Sequence, residues 1–233
     1  VETRKTHRGL PLGLNLAYCR GVGVSRFTRR YEKLARFLCK FVCNSNPGFS
    51  FTTIQLNKNH AAALHVDSSN LGPSRVIGLG EFTGGELYIH GAGRLDIRDA
   101  WHEFDGNMPH LTCPFQGERY SVVYFAHHSY GKAQSKDVKY LEDLGFSWPE
   151  PGCRKLRYAS KAHRLREAAA ALPEDLRAQV CKQTLSPKSP ISAAHRADFD
   201  MRFRRNVEEL KSWLTAHDGR LPTYALSVRA EGG

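Results

Sequence analysis

The first periodic segment of the chain lies between about residues 25 and 43. Ser25 is a suitable N-cap for a helix, and Asn44-Ser45-Asn46-Pro47-Gly48 is a suitable stop. Between them, apolar residues recur at the spacing of one face of an α-helix: Phe27, Tyr31, Leu34, Leu38, Phe41 and Val42. The pattern predicts an amphipathic helix that packs on the residues that follow.

From residue 49 to residue 125 the pattern changes to short β-rich runs separated by glycine and aspartate turns. The predicted strands cover residues 51–57, 75–79, 85–90, 95–97, 101–104, 111–112 and 120–125. Many short strands of this kind indicate a barrel or a double-sheet jelly roll. We expect a loop with Gly131 and Lys132 to follow, and then a Pro-Gly-rich link over residues 148–152.

Beyond that link the pattern is helical and basic, with predicted helices at residues 154–172 and 174–185 and a third around 199–214. The first of these has six basic residues and one acid: Arg154, Lys155, Arg157, Lys161, Arg164, Arg166 and Glu167. We favour a helix that packs over the barrel with a solvated basic face over one that reads a DNA groove. Residues 203–224 resemble part of a helicase-associated repeat. With a first residue other than Met, this leads us to expect a larger parent polypeptide whose other domains would be partners.

The composition shows a chain that can bury a core and is basic. Of its 233 residues 41% are hydrophobic, enough for one sizeable core. The 34 Lys+Arg against 23 Asp+Glu give a net charge of +11, which attracts polyanions, although a solvated basic surface explains it equally well. No stretch approaches the roughly 20 unbroken apolar residues of a membrane span, so we expect a soluble protein without a membrane partner. The six cysteines form no C-x-x-C pair, which favours reduced thiols in an intracellular protein.

Three residues have the pattern of a metal site. His65 and Asp67 are two positions apart, so in an extended segment their side chains share a face. His110 follows after several short predicted strands and can complete a set of two imidazoles and one carboxylate. This donor set leaves open positions on the metal and is typical of non-haem Fe(II) oxygenases. By itself, H-x-D is also a common turn pair.

Two further residues suit the binding of a dicarboxylic acid. Arg119 and Ser121 lie at the start of the last predicted strand, and strand alternation places them on one face. A guanidinium group with a neighbouring hydroxyl can bind a terminal carboxylate through two parallel hydrogen bonds.

Four motifs of residues 52–125 stand out: His65-Val66-Asp67, the run GLGEFTGGEL at residues 78–87, Phe104-Asp105-Gly106 ahead of His110, and PFQGERYS at residues 114–121. In these motifs the segment resembles the core of the Fe(II)/2-oxoglutarate dioxygenases. It resembles most closely the TET/JBP branch, which oxidises methyl groups of thymine or 5-methylcytosine. The resemblance implies a double-stranded β-helix, or jelly-roll, core. With the helical patterns we therefore predict an α+β fold: a dioxygenase domain at residues 1–150 with an N-terminal amphipathic helix, and a basic helical C-terminal extension at 151–233.

Residue by residue, the resemblance implies that His65, Asp67 and His110 bind Fe(II) and form the catalytic site, with O2 as co-substrate. It implies that Arg119 anchors the distal carboxylate of 2-oxoglutarate with help from Ser121. Asn57 stands where such enzymes often place a polar contact to 2-oxoglutarate, and a satisfied Asn at a strand end is an equally good interpretation. The cysteines do not reproduce the zinc-bound extension of the animal TET enzymes, so compact members are the closer comparison.

The function expected from this resemblance is hydroxylation of the methyl group of 5-methylcytosine or thymine in DNA, in the nucleus. A protein or peptidyl hydroxylase of the same superfamily has the same triad and arginine and remains an alternative. A non-catalytic nucleic-acid-binding module is the third. His127 and His128 are adjacent, so their side chains would point to opposite faces, and we expect neither to bind this metal. Aromatic residues at strand spacing are either core residues or stacking partners of a flipped base.

Overall fold

The computed structural model describes residues 9–17, 21–153 and 155–177, together with Ser212. The chain divides into two units, residues 1–180 and residues 181–233. The predicted third helix, apart from Ser212, and the segment similar to a helicase-associated repeat lie outside the described residues, as does most of the helix predicted at 174–185. The architecture that follows belongs to the first unit.

The strands are β1 (Leu10–Ala17), β2 (Gly21–Val24), β3 (Thr53–Lys58), β4 (Asn70–Leu79), β5 (Phe82–Gly84), β6 (Leu87–Ile89), β7 (Gly93–Leu95), β8 (His102–Phe104), β9 (His110–Thr112), β10 (Phe115–Gly117) and β11 (Tyr120–His127). The helices are α1 (Arg26–Arg30), α2 (Glu32–Ser45), α3 (Ser135–Leu144) and α4 (Lys161–Ala170), with a short 3-10 turn at Tyr130–Lys132. Within the described residues the strands form a six-stranded sheet in the order β2-β1-β3-β11-β4-β8, a three-stranded sheet β7-β6-β9 and the pair β10-β5. All of these pairings are antiparallel.

The interior lies between the six-stranded and the three-stranded sheets. Val76 of β4 and Phe104 of β8 form one buried cluster with Leu87 and Ile89 of β6 and with Ile97. Since side chains alternate along a strand, one face of each sheet meets the other across this cluster. The described chain is thus mostly β-sheet with few helices, which is compatible with a jelly-roll-like core and confirms the predicted fold at that level.

The predicted N-terminal amphipathic helix is confirmed, with one break. Ser25 is the N-cap, because its Oγ accepts a hydrogen bond from the backbone N–H of Phe27 at 3.3 Å. The helix is divided at Tyr31 into α1 and α2. α2 lies against the outer face of the six-stranded sheet, where the hydroxyl of Tyr124 on β11 donates to the backbone oxygen of Leu38 at 3.1 Å.

Several elements differ from the prediction. β1 and β2 precede the helix, where Pro11 and Gly13 interrupt the strand pattern of the sequence. The prediction of a loop directly after residue 125 is corrected, because β11 continues to His127 and the helix α3 follows. Burial of Leu141 and Leu144 holds α3 on the rest of the fold. β5 and β10 are only three residues long, too short for a periodic signal, and pair with each other. The helix predicted at 154–172 begins only at Lys161, where Ser160 caps it.

The residues after α4 pack on the outer face of the three-stranded sheet. Leu172 and Leu176 are 2% and 0% exposed and contact Tyr88, Leu111 and Cys113. Tyr88 and Leu111 alternate with the interior residues of β6 and β9, so they face away from the interior. This packing makes residues 172–176 part of the first unit. Among the described helices, none is long and apolar enough to cross a membrane.

Replacing Leu172 by alanine should therefore destabilise the β core. Deletion of a buried leucine typically costs about 2–5 kcal/mol, because apolar contacts are lost and a cavity remains. Leu156→Ala is the matched control: Leu156 is 70% exposed, and we expect a change below about 0.5 kcal/mol. Urea unfolding followed by circular dichroism measures both. Equal stability of the two variants would contradict the packing of this segment on the sheet.

Candidate metal centre

The two histidines of the expected triad are held opposite each other by their own backbones. The N–H of His65 donates to the oxygen of His110 at 3.0 Å, and the N–H of His110 donates to the oxygen of His65 at 2.9 Å. Paired residues of an antiparallel bridge have their side chains on the same side. The ring centroids of the two imidazoles are accordingly 4.2 Å apart.

The carboxylate of Asp67 completes the group. Its backbone N–H donates to the oxygen of Gly106 at 2.7 Å, which holds the residue beside the chain that leads to His110. Asp67 Oδ1 lies 3.5 Å from His65 Nε2, and Oδ2 lies 3.7 Å from His110 Nε2. Among the described residues, one ligand atom from each of these three side chains can be chosen so that all lie within 4.8 Å of one another. The structure thus brings His65, Asp67 and His110 together as a group that could hold a metal ion.

Hydrogen bonds on the far side of both rings orient the Nε2 atoms toward the carboxylate. His65 Nδ1 lies 2.7 Å from the backbone oxygen of Ala63, and His110 Nδ1 lies 2.8 Å from that of Met108. A carbonyl oxygen only accepts, so in each ring Nδ1 carries the hydrogen and Nε2 keeps its lone pair. Metal-binding histidines are commonly held in this way. Burial lowers the pKa of His110, and the neighbouring His65 lowers it further, which favours the neutral imidazole that a metal requires.

Arg119 is a buried cation that makes no side-chain ion pair within the described part of the chain. Its residue is 2% exposed, and its Nε has no hydrogen-bond partner. Phe82 and Phe115 lie at 5.5 and 5.4 Å from the guanidinium carbon, measured to the ring centroids. Burial lowers the pKa of Arg119 to about 10, so the group stays protonated at neutral pH. A buried cation of this kind is suited to bind an anion.

Gly85 provides the space for the Arg119 side chain. A Cβ atom at position 85 would lie 2.9 Å from both Cδ and Nε of Arg119, and the φ angle of Gly85 is +77°. This contact was not predicted from the sequence. The signal was present as two consecutive glycines before a buried strand, a pattern that also marks a close approach of another group.

Ser121 and Asn57 lie opposite each other on β11 and β3. Asn57 Nδ2 donates to Ser121 Oγ at 3.3 Å, and Gln55 Nε2 donates to Asn57 Oδ1 at 3.1 Å. Their strand positions alternate with the side chains that face α2, so this polar row lies on the interior face of the six-stranded sheet. Both expected 2-oxoglutarate contacts are therefore on the interior face, where they bond to each other.

The guanidinium group and the triad share this interior. Gly85, which lies against Arg119, comes four positions before Ile89, and Ile89 is the partner of His110 between β6 and β9. Ile89 belongs to the interior cluster, so the His110 imidazole lies on the inner side of the three-stranded sheet. Val123 of β11 packs against the same cluster, and the backbone pairing of β11 with β3 continues to Arg119, whose oxygen accepts the N–H of Asn59 at 2.7 Å. Strand alternation therefore directs Arg119, four positions before Val123, toward the same interior from the six-stranded sheet.

The expected cofactors, Fe(II) and 2-oxoglutarate, fit these residues. Two imidazole nitrogens and one carboxylate oxygen are a suitable donor set for Fe(II) and leave positions open. The unpaired guanidinium group of Arg119 is a suitable partner for a carboxylate of 2-oxoglutarate.

His127, His128 and Trp101 lie apart from this group, whereas Phe104 contacts it. The rings of His127 and His128 stack on each other at 4.9 Å rather than joining the triad. Trp101 packs on Phe41 of α2 and on Tyr124, at 5.3 and 5.6 Å between ring centroids, as expected for a core residue. Phe104, in contrast, contacts the His110 ring edge-on at 5.2 Å.

No protein-family model matches this chain, and no curated protein matches it either. Among solved structures, NgTET1 in complex with 5mC DNA is similar over 60% of this chain and 70% of that one, at 15% identity and a TM-score of 0.42. The Escherichia coli ribosomal oxygenase YcfD is similar over 76% of this chain and 57% of its own, at 14% identity and a TM-score of 0.27. YcfD in complex with cobalt and 2-oxoglutarate gives the same values. Similarities of this size leave the function to be inferred from the site's own residues.

Gly85→Ala should weaken the binding of 2-oxoglutarate while leaving the metal group intact. The added Cβ displaces the Arg119 side chain, and a displacement of around 1 Å can cost a positioned group about ten- to a hundredfold. Gly91→Ala is the matched control, since Gly91 has a φ of +85° but no atom within 4 Å of the added Cβ. Anaerobic calorimetry in the presence of Fe(II) measures the affinity of each variant for 2-oxoglutarate. Equal 2-oxoglutarate affinity in the two variants would contradict the assignment of Arg119.

Proposed function

We propose that this chain is an Fe(II)- and 2-oxoglutarate-dependent dioxygenase that hydroxylates the methyl group of a nucleobase, 5-methylcytosine or thymine, in DNA. The observation that carries the proposal is the buried Arg119, whose Nε has no hydrogen-bond partner, directed toward the same interior as the group of His65, Asp67 and His110. A buried cation without a partner is unfavourable for folding. Its presence beside a metal-binding group is therefore best explained by an anionic cosubstrate.

Each residue then has a defined part. His65, Asp67 and His110 hold the metal, and Arg119 binds the distal carboxylate of 2-oxoglutarate, with Ser121 and Asn57 as polar neighbours. Bound Fe(II) supplies the activation of O2: one O2, one 2-oxoglutarate and one methyl group give succinate, CO2 and one hydroxymethyl group. The apolar cluster around Phe104 excludes water from the interior beside the triad.

DNA as substrate is supported by the charge beside the metal group. Lys155 Nζ donates to the backbone oxygen of Ser68, directly after Asp67, so the basic segment starts at the triad. Arg157, Lys161 and Arg166 in the same segment are exposed. Exposed cations in a segment that binds the chain next to the candidate ligands are suited to bind the phosphates of the DNA backbone.

The base is supported by the resemblance of residues 52–125 to the TET/JBP branch, since no base-reading residue follows from the geometry. A location in the nucleus is a prediction that accompanies this substrate. The protein or peptidyl hydroxylase uses the same triad and arginine, so the identity of the oxidised product distinguishes the two.

The proposal is tested by loading the protein with Fe(II) and 2-oxoglutarate without oxygen, adding DNA that contains 5-methylcytosine, and admitting air. We expect a hydroxymethyl nucleoside and succinate, measured by mass spectrometry. His65→Ala and Asp67→Ala should abolish both products, because the metal is lost. Arg119→Ala should raise the KM for 2-oxoglutarate about ten- to a hundredfold, since charge-assisted hydrogen bonds contribute about 1.5–3 kcal/mol.

His163→Ala is the control, because His163 lies exposed on α4 and should retain full activity. Unchanged hydroxylation by a His65→Ala, Asp67→Ala double variant would overturn the metal assignment. Succinate without any altered nucleoside would overturn the DNA substrate and favour a protein or peptide instead. No succinate at all would overturn the enzyme itself and favour a binding module.

A further inference from the structure

The loop of residues 105–108 holds two of the three candidate ligands. The backbone oxygen of Gly106 accepts the N–H of Asp67 at 2.7 Å, and that of Met108 lies 2.8 Å from Nδ1 of His110. The loop also approaches the carboxylate closely, since a Cβ at Gly106 would lie 3.3 Å from Asp67 Oδ2. Any movement of this loop therefore moves both an imidazole and the carboxylate.

Asp105 fixes the shape of this loop. Its Oδ1 accepts hydrogen bonds from the backbone N–H and the Nδ2 of Asn107, at 2.9 and 3.2 Å. Its backbone oxygen accepts the N–H of Met108 at 3.0 Å. Asn107 Nδ2 also donates to the backbone oxygen of Asn70 at 3.2 Å, which ties the loop to the residues after Asp67.

The remaining oxygen of Asp105 is bound from far along the chain. The hydroxyl of Tyr158 donates to Asp105 Oδ2 at 2.8 Å. The Tyr158 ring is itself covered by the Arg164 guanidinium, 5.0 Å from the ring centroid. Lys155 binds the backbone oxygen of Ser68 on the other side of Asp67. Residues 155–158 thus bind the chain on two sides of the candidate ligands, at Ser68 and at Asp105.

We propose that Tyr158 is a positioning residue for the metal: its hydrogen bond to Asp105 holds the 105–108 loop so that Asp67 and His110 keep their ligand geometry. The inference rests on the proposed function, because it takes the triad as the metal site. It makes residues 155–158 part of the centre, although the sequence places them in a separate extension. The contact also connects the exposed basic residues of this segment to the metal ligands.

The test compares Co(II) binding by the full chain and by Tyr158→Phe, which removes only the hydroxyl. Calorimetry gives the affinity, and the visible absorption of bound Co(II) reports the geometry of its ligands. We expect the affinity to fall about tenfold, the lower end of the range for outer partners of metal ligands, with an altered spectrum. Tyr140→Phe is the matched control, because the Tyr140 hydroxyl donates to the Glu32 carboxylate at 3.1 Å between α3 and α2.

Asp105→Asn changes the acceptor of the same hydrogen bond, whereas Tyr158→Phe removes its donor. If the bond carries the effect, the Tyr158→Phe, Asp105→Asn double variant should lose less Co(II) affinity than the sum of the single changes. Thermal unfolding of the metal-free variants separates a general loss of stability from a loss of ligand geometry. Asp105→Asn alone keeps the test decisive if Tyr158→Phe folds poorly, because it alters the same hydrogen bond without changing Tyr158.

Wild-type affinity and an unchanged Co(II) spectrum in Tyr158→Phe would overturn the inference. An equal affinity loss in Tyr158→Phe and Tyr140→Phe would overturn it too, because it would reflect stability alone. Failure of the wild-type chain to bind Co(II) would instead overturn the proposed function on which the inference rests. The two failures are therefore distinguishable in one set of titrations.

Discussion

The site depends on the pair of backbone hydrogen bonds between His65 and His110. Neither segment is positioned by sequence proximity, and His65 lies outside the named strands, so this bridge brings the two imidazoles together, with their ring centroids 4.2 Å apart. Asp67 joins them because its N–H binds Gly106, on the same approach to His110. Without the bridge, His65 and Asp67 would be an ordinary H-x-D turn pair. A short piece of antiparallel pairing thus converts a weak sequence motif into a group of three converging donor atoms.

The interior around His65, Asp67 and His110 has an apolar part, a polar row and one buried cation. Phe104, a member of the apolar cluster between the two sheets, contacts the His110 ring. A polar row from Asn57 to Ser121 lies on the inner face of the six-stranded sheet. Arg119 is buried between two aromatic rings and, within the described residues, makes no side-chain ion pair, although the charge of Glu86 acts on it. An uncompensated buried ion costs several kcal/mol, which the burial of the core must offset. Burial of Arg119 therefore lowers the free energy of unfolding, and it leaves the guanidinium group already positioned to bind an anion.

Much of this site follows from the sequence, and the rest depends on tertiary contacts. His65, Asp67 and His110 were identified by residue type and order, and Ser25 by its capping chemistry. β1 was missed because Pro11 and Gly13 break its alternation, and α3 because its charged surface gives a weak apolar signal. Periodicity describes single elements, so it cannot show that Gly85 makes room for Arg119 or that Tyr158 reaches Asp105. Those contacts join residues whose spacing along the chain carries no periodic relation.

The central claim is that the triad and Arg119 together form one binding site for Fe(II) and 2-oxoglutarate. Anaerobic calorimetry of 2-oxoglutarate with the wild-type chain, with and without Fe(II), tests it most directly. The account predicts one 2-oxoglutarate per chain and an affinity that rises sharply when Fe(II) is present, because the metal and Arg119 bind opposite ends of one molecule. Binding of the same strength without Fe(II), or none in its presence, would contradict the account.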